Sequence, residues 1–209
     1  MGVPFQSDGV SGILHTPESA NGHALILTHG AGSNANAPLL VRVATAAADA
    51  GYLTLRYDLP FRQRRPKGPP DPSHAAQDRE GIERAYQALR DLAPGWIFAG
   101  GHSYGGRQTA MWAAERPDLA SGLLLLSYPL HPPGKPDRKR TNFFPELRTR
   151  ALFVHGTIDP FGSVEELREA LVLIPAPTEL QAVEGAGHDL KRANTAGILA
   201  RFHALVQAP

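Results

Sequence analysis

The 209-residue chain contains no cysteine. That absence excludes disulfides, thiolate zinc sites and a cysteine nucleophile together. An excess of one charge is missing too: 21 Lys and Arg stand against 20 Asp and Glu, a formal net charge of +1. No global field therefore favours nucleic acid or a membrane surface, and neither is expected as a partner. No apolar run approaches the roughly 18 residues of a membrane span, and the amino terminus lacks a basic segment followed by an apolar one. Met1-Gly2 opens like an acylation motif, but Gln6 stands where that motif requires serine or threonine. A soluble, cytoplasmic protein is the expectation. His29, His102 and His155 lack a helical i, i+4 partner or an acidic companion at ligand spacing, so no metal site and no cofactor is expected.

What is present is a 42% hydrophobic sequence, enough for one core over residues 1–209, punctuated by 21 glycines and 19 prolines that mark turns. Asp8-Gly9 sits between two short strand-like stretches within residues 3–15, a hairpin signal. Continuous apolar runs at residues 24–28, 52–57, 96–99, 122–127 and 151–155 read as strands buried on both faces, with a last strand at 179–183. Between them lie helical periodicities, such as Leu40, Val43, Ala44 and Ala47, or Ile82, Ala85, Tyr86 and Leu89. Ser163-Val-Glu-Glu166 is a capping box, and Ile198, Phe202, Leu205 and Val206 mark a closing helix. This alternation predicts a three-layer α/β/α sandwich, a mostly parallel sheet with an antiparallel hairpin at its start.

The run Trp96-Ile-Phe-Ala-Gly-Gly-His-Ser-Tyr-Gly-Gly-Arg107 passes from strand to helix through Gly101-x-Ser103-x-Gly105. Such a turn lifts the serine oxygen clear of the sheet and starts a helix whose free N–H groups face a developing oxyanion. A serine needs a base, and the base an orienting carboxylate. In a parallel sheet the loops after each strand gather on one edge. His188 follows the last strand and Asp159 the strand before it, so Ser103, Asp159 and His188 are the candidate triad. Asp58, at another strand end, is the rival acid.

These residues resemble the α/β-hydrolase superfamily over essentially the whole chain. The resemblance implies Ser103 as nucleophile, His188 as base and acid, and Asp159 as orienter. The His29-Gly30-Ala31-Gly32 loop resembles the second oxyanion element, implying N–H donors at Ala31 and Tyr104. The short chain is similar to the dienelactone-hydrolase-like group, although dienelactone hydrolases proper use a cysteine. Tyr57-Asp-Leu-Pro-Phe61 and Ser127-Tyr-Pro-Leu-His-Pro-Pro-Gly134 look closer to a small branch of hydrolase-like proteins with testis-expressed and chromatin-associated members.

Only some two dozen proline-rich residues separate the strands at Leu126 and Ala151, too few for a helical cap. A shallow site is expected, with Gly30, Gly32, Tyr104, Tyr128, Leu130, His131 and Phe161 as candidate substrate contacts. Two basic loops flank it: Arg62, Arg64, Arg65 and Lys67, then Lys135, Arg138, Lys139 and Arg140. They read as solvated charge, or as a rim drawing in an anionic substrate. The expected partner is a small acyl ester. Two alternatives stay open: acyl transfer or perhydrolysis, and a weakly active fold that binds a partner through these loops.

Overall fold

The computed structural model describes residues 2–207. Two strands, Gly2–Ser7 (β1) and Val10–His15 (β2), pair antiparallel across the Asp8-Gly9 turn, where both residues have positive φ. Strand Ala24–Thr28 (β3) leads to helix Pro38–Asp49 (α1), and strand Leu53–Tyr57 (β4) follows. A short helix Pro60–Arg64 (α2) and a 3₁₀ turn precede helix Ala75–Arg90 (α3). Then come strand Ile97–His102 (β5), helix Tyr104–Glu115 (α4) and strand Leu123–Leu126 (β6). Strand Ala151–Gly156 (β7), helix Val164–Leu171 (α5), strand Thr178–Val183 (β8) and helix Thr195–Gln207 (α6) complete the order.

The strands form one eight-stranded sheet, β1-β2-β4-β3-β5-β6-β7-β8. From β4 to β8 every neighbouring pair is parallel. Continuous apolar runs suit these central strands because each face is covered by helices. In β3, Ile26 joins the layer formed with α3 and α4, while Leu25 and Leu27 join the layer of α1 and α6. The same alternation splits Leu123 and Leu125 from Leu124 and Leu126, and Phe153 from Leu152 and Val154. Each such side chain, fully withdrawn from water, contributes about 1.5–3 kcal/mol before ordering costs.

Local signals hold at the helix ends. Pro38 occupies the first turn of α1, and the chain leaves that helix through Gly51 at φ 92. The Ser163 hydroxyl accepts from the Glu166 N–H (3.1 Å), and the Glu166 carboxylate accepts from the Ser163 N–H (2.8 Å). The loop that the prolines predict over residues 62–70 starts instead inside α2, a helix too short to show a period. No cap stands between β6 and β7, where residues 127–150 hold one 3₁₀ turn, Phe144–Glu146. Among the described residues no helix is long and apolar enough to cross a membrane.

The β5–α4 junction depends on close backbone approach. A Cβ on Gly105 would stand 2.4 Å from the His29 carbonyl oxygen and 3.0 Å from the Thr28 carbonyl carbon, both backbone. Gly105→Ala must therefore push α4 away from the end of β3, at a cost of about 2–4 kcal/mol. A denaturant midpoint equal to wild type would refute this contact as a constraint.

Candidate active site

Ser103 sits between β5 and α4 with φ 53 and ψ −119, a conformation few non-glycine residues adopt. The turn is held from both sides: the Ser103 N–H donates to the Leu126 carbonyl (2.9 Å), and the Gly105 N–H to the His29 carbonyl (3.1 Å). Ser103 Oγ lies 2.7 Å from His188 Nε2, and His188 Nδ1 lies 2.8 Å from Asp159 Oδ2. A carboxylate only accepts, so Nδ1 carries the proton and the Nε2 lone pair faces the serine hydroxyl. Asp159 Oδ1 accepts from the Phe161 N–H (2.9 Å). Burial pushes the Asp159 carboxyl up, but the His188 hydrogen bond and charge, the Phe161 N–H and His155 together hold it below the usual carboxylate range.

The histidine loop is tied to the serine turn by its neighbour. The His102 ring stacks obliquely on that of His188, 5.0 Å between centroids, and its Nε2 donates to the His188 carbonyl (2.7 Å). Phe161 covers the His188 ring at 4.3 Å. Burial, outweighing the carbonyl bond, lowers the His102 pKa from 6.5 to about 4. A folded value below the unfolded one means this contribution is complete above pH 6.5 and is lost as pH falls toward 4. Burial lowers His15, His23 and His29 as well, in the same direction. Stability should fall by on the order of 3 kcal/mol over that window for His102 alone. Urea titrations at pH 7 and 4.5 check this, and His102→Gln should flatten the dependence; an unchanged slope would remove His102 as a source.

Asp58 is not beside His188. Its Oδ1 accepts from the Ala35 N–H (2.6 Å) and stands 3.5 Å from buried His29, so it braces the loop after β3. Ala31 and Tyr104 both line a cavity of about 480 Å³ that opens on Ser103. The Tyr104 N–H heads α4 without an intrahelical acceptor, and the Ala31 N–H makes no hydrogen bond among the described residues. Phe161 lines the same cavity.

Other candidate contacts lie elsewhere. Tyr128 is buried against Phe144 and Phe153, its hydroxyl donating to the Arg140 carbonyl. Leu130 is fully buried, and His131 turns inward toward the Pro132 carbonyl (2.9 Å) and Glu166 (3.5 Å). All three side chains fill space under the β6–β7 segment rather than face the cavity. Gly30 backs the site, since a Cβ there would lie 3.1 Å from His102 Nδ1 and 3.3 Å from Ser103 Cβ. Gly32 is exposed with open space around it, because the Ser33 N–H bonds back to Gly30 (3.1 Å) and turns the loop outward.

Three residues near the site escape a reading of the sequence alone. Arg62, expected as solvated charge, is 5% exposed. Its guanidinium donates to the carbonyls of Ala31 (2.7 Å) and Ser33 (2.7 Å), and to those of Arg65 and Gly68, clamping the Ala31 loop. Asp78 is fully buried and accepts from the Phe61 N–H (3.0 Å) and the Tyr104 hydroxyl (2.7 Å). Its place four residues before Ile82, on the apolar face of α3, was the available signal. Arg107, one turn beyond Ser103, lines the cavity. Among the described residues, no group of three or more His, Asp or Glu side chains could hold a metal ion.

The profile of the alpha/beta hydrolase domain family matches residues 21–204. The chain belongs to the α/β-hydrolase family. Solved α/β-hydrolase-like structures superpose on nearly all of it. An alpha-beta serine hydrolase homologue from Coxiella burnetii matches at TM-score 0.75 and 17% identity, covering 99% of this chain and 96% of that one. A dienelactone hydrolase from Anabaena variabilis matches at 0.72 and 20% identity, covering 97% and 95%. Est1E from Butyrivibrio proteoclasticus matches at 0.76 and 17%, covering 99% of each chain. At these identities the likeness is one of fold. This α/β-hydrolase lacks a cap domain, so its strand-end loops and the facing residues of α3 and α4 shape the approach to Ser103.

Proposed function

We propose that the protein is a serine hydrolase that cleaves a carboxylic ester or related acyl bond. The observation that carries this reading is the unbroken series Ser103 Oγ, His188, Asp159 at 2.7 and 2.8 Å, with Ser103 at the mouth of a cavity. The names of two structural neighbours, a serine hydrolase homologue and a dienelactone hydrolase, agree with it.

In the proposed reaction Ser103 Oγ attacks the carbonyl carbon while its proton passes to His188 Nε2. The N–H groups of Ala31 and Tyr104 receive the negative oxygen, the backbone of Ala31 being pinned through its own carbonyl by Arg62. Breakdown expels the alcohol, which takes the proton from His188. Water then attacks the acyl-serine, gives its proton to His188, and the acid leaves as Ser103 regains a proton. Asp159 stays ionised throughout, holding the ring and balancing its charge.

A fluorophosphonate probe tests this directly. Labelling should reach one probe per chain and vanish in Ser103→Ala; folded protein that takes no label would overturn the reading.

A further inference from the structure

Two guanidinium groups line the cavity beside Ser103, and neither has an acid. Arg107 stands one turn along α4 from the serine, its N–H donating to the Ser103 carbonyl (2.9 Å). Its Nε is buried with no hydrogen-bond partner. The guanidinium hydrogen-bonds the Tyr128 hydroxyl, and that bond and its charge oppose the rise that burial imposes on the phenol. Arg140 comes from the β6–β7 segment, anchored by its N–H on the Leu130 carbonyl (2.8 Å) and by Nη1 on the Pro129 carbonyl (3.2 Å). Neither arginine pairs with a carboxylate among the described residues, whose lysine and arginine ion pairs all lie elsewhere. Burial first, and then the charge of Arg107, hold the Arg140 guanidinium below its ordinary value, and both arginines line the same cavity.

The rest of the wall supplies no counter-charge. It contains no Asp or Glu, and prolines 69, 70, 72 and 129 make much of it apolar. The one amide on the wall, Gln108, already accepts from Arg79 (3.1 Å). Two like charges held together in such surroundings are costly, and a buried N–H without an acceptor adds to that cost. A planar anion with two acceptor oxygens removes both penalties at once, and guanidinium is the side chain that suits it.

We propose that the substrate carries a carboxylate, bound between Arg107 and Arg140 while its ester carbonyl sits at Ser103. The substrate class is then an ester with a free acid group, such as the half-ester of a dicarboxylic acid. This rests on the serine hydrolase reading and sharpens it. Of the loop charges that the sequence suggests it keeps only Arg140, which reaches the cavity, and it adds Arg107 from α4.

The test compares mono-4-nitrophenyl adipate with its neutral methyl ester, each corrected for its hydroxide rate. A second pair, 4-carboxyphenyl and 4-(methoxycarbonyl)phenyl butyrate, places the acid on the leaving alcohol. Wild-type kcat/KM should favour the acid by about 10- to 100-fold in one pair, the range of one or two charge-assisted hydrogen bonds. Arg107→Met and Arg140→Met should each bring that ratio close to one, and Lys139→Gln, on the exposed loop, should leave it unchanged. A wild-type ratio near one in both pairs overturns the proposal, as does a preference that survives both arginine substitutions. So does a preference lost in Lys139→Gln, which would assign it to the loop field. If no ester turns over and no probe labels Ser103, the hydrolase reading has failed. Calorimetry of the adipate pair on Ser103→Ala then decides the subsite by itself: tenfold tighter binding of the acid supports it, equal binding removes it.

Discussion

Ser103→Ala is expected to lower kcat/KM on an activated ester by about 10⁴-fold or more. The change removes one atom, Oγ, and with it both the nucleophile and the 2.7 Å contact to His188 Nε2. The N–H groups of Ala31 and Tyr104 and the cavity remain, so a residual rate above that of water should persist. The fold should tolerate the substitution. Serine already holds φ 53 and ψ −119 at this position, and alanine meets the same strain of about 1–3 kcal/mol without adding volume. Steady-state kinetics and a melting curve on the same preparation separate the two effects. A variant that is folded and fully active would remove Ser103 as nucleophile.

Asp159→Asn should cost about 10⁴-fold with little loss of shape. The amide is nearly isosteric, and its oxygen can still accept from the Phe161 N–H as Oδ1 does now (2.9 Å). Its nitrogen then faces His188 Nδ1 and donates to it. The ring proton is displaced to Nε2, which becomes a donor toward Ser103 and can no longer take the hydroxyl proton. The imidazolium formed in the reaction also loses its counter-charge. Kinetics beside probe labelling measure both consequences, and a loss below tenfold would show that Asp159 does not orient the base. Asp58→Asn is the informative contrast. That carboxylate holds the Ala35 N–H and stands beside buried His29, so its loss should appear in stability rather than in proton transfer.

The sheet and the serine turn were readable because burial on both faces leaves an uninterrupted apolar run. Leu123 to Leu126 could be little else, and the glycines around Ser103 announce the close packing that Gly105 requires. The order Ser103, Asp159, His188 was readable because a parallel sheet delivers its loops to one edge. What escaped depended on the direction in which a side chain points. Arg62 lies in a basic, proline-rich stretch whose composition suggests solvent, and only four backbone carbonyls brought together by the fold turn it inward. Tyr128 and His131 lie where residues 127–150 lack a period, so nothing in the sequence says which way they face. Arg107 carries no signal in the sequence, since a cation on a helix surface is ordinary and the apolar wall around it comes from a distant segment.

The missing cap has a kinetic meaning under the proposed mechanism. The His188 side chain is 23% exposed, and no domain has to move before a molecule reaches it. An acyl group on Ser103 is therefore met by bulk water as soon as the alcohol departs. Competing alcohols or amines meet no closed lid that would hold water back while they bind. Partitioning of the acyl-enzyme should follow the solvent, which makes hydrolysis its ordinary fate, and turnover should respond to acyl-group chemistry rather than to solvent viscosity.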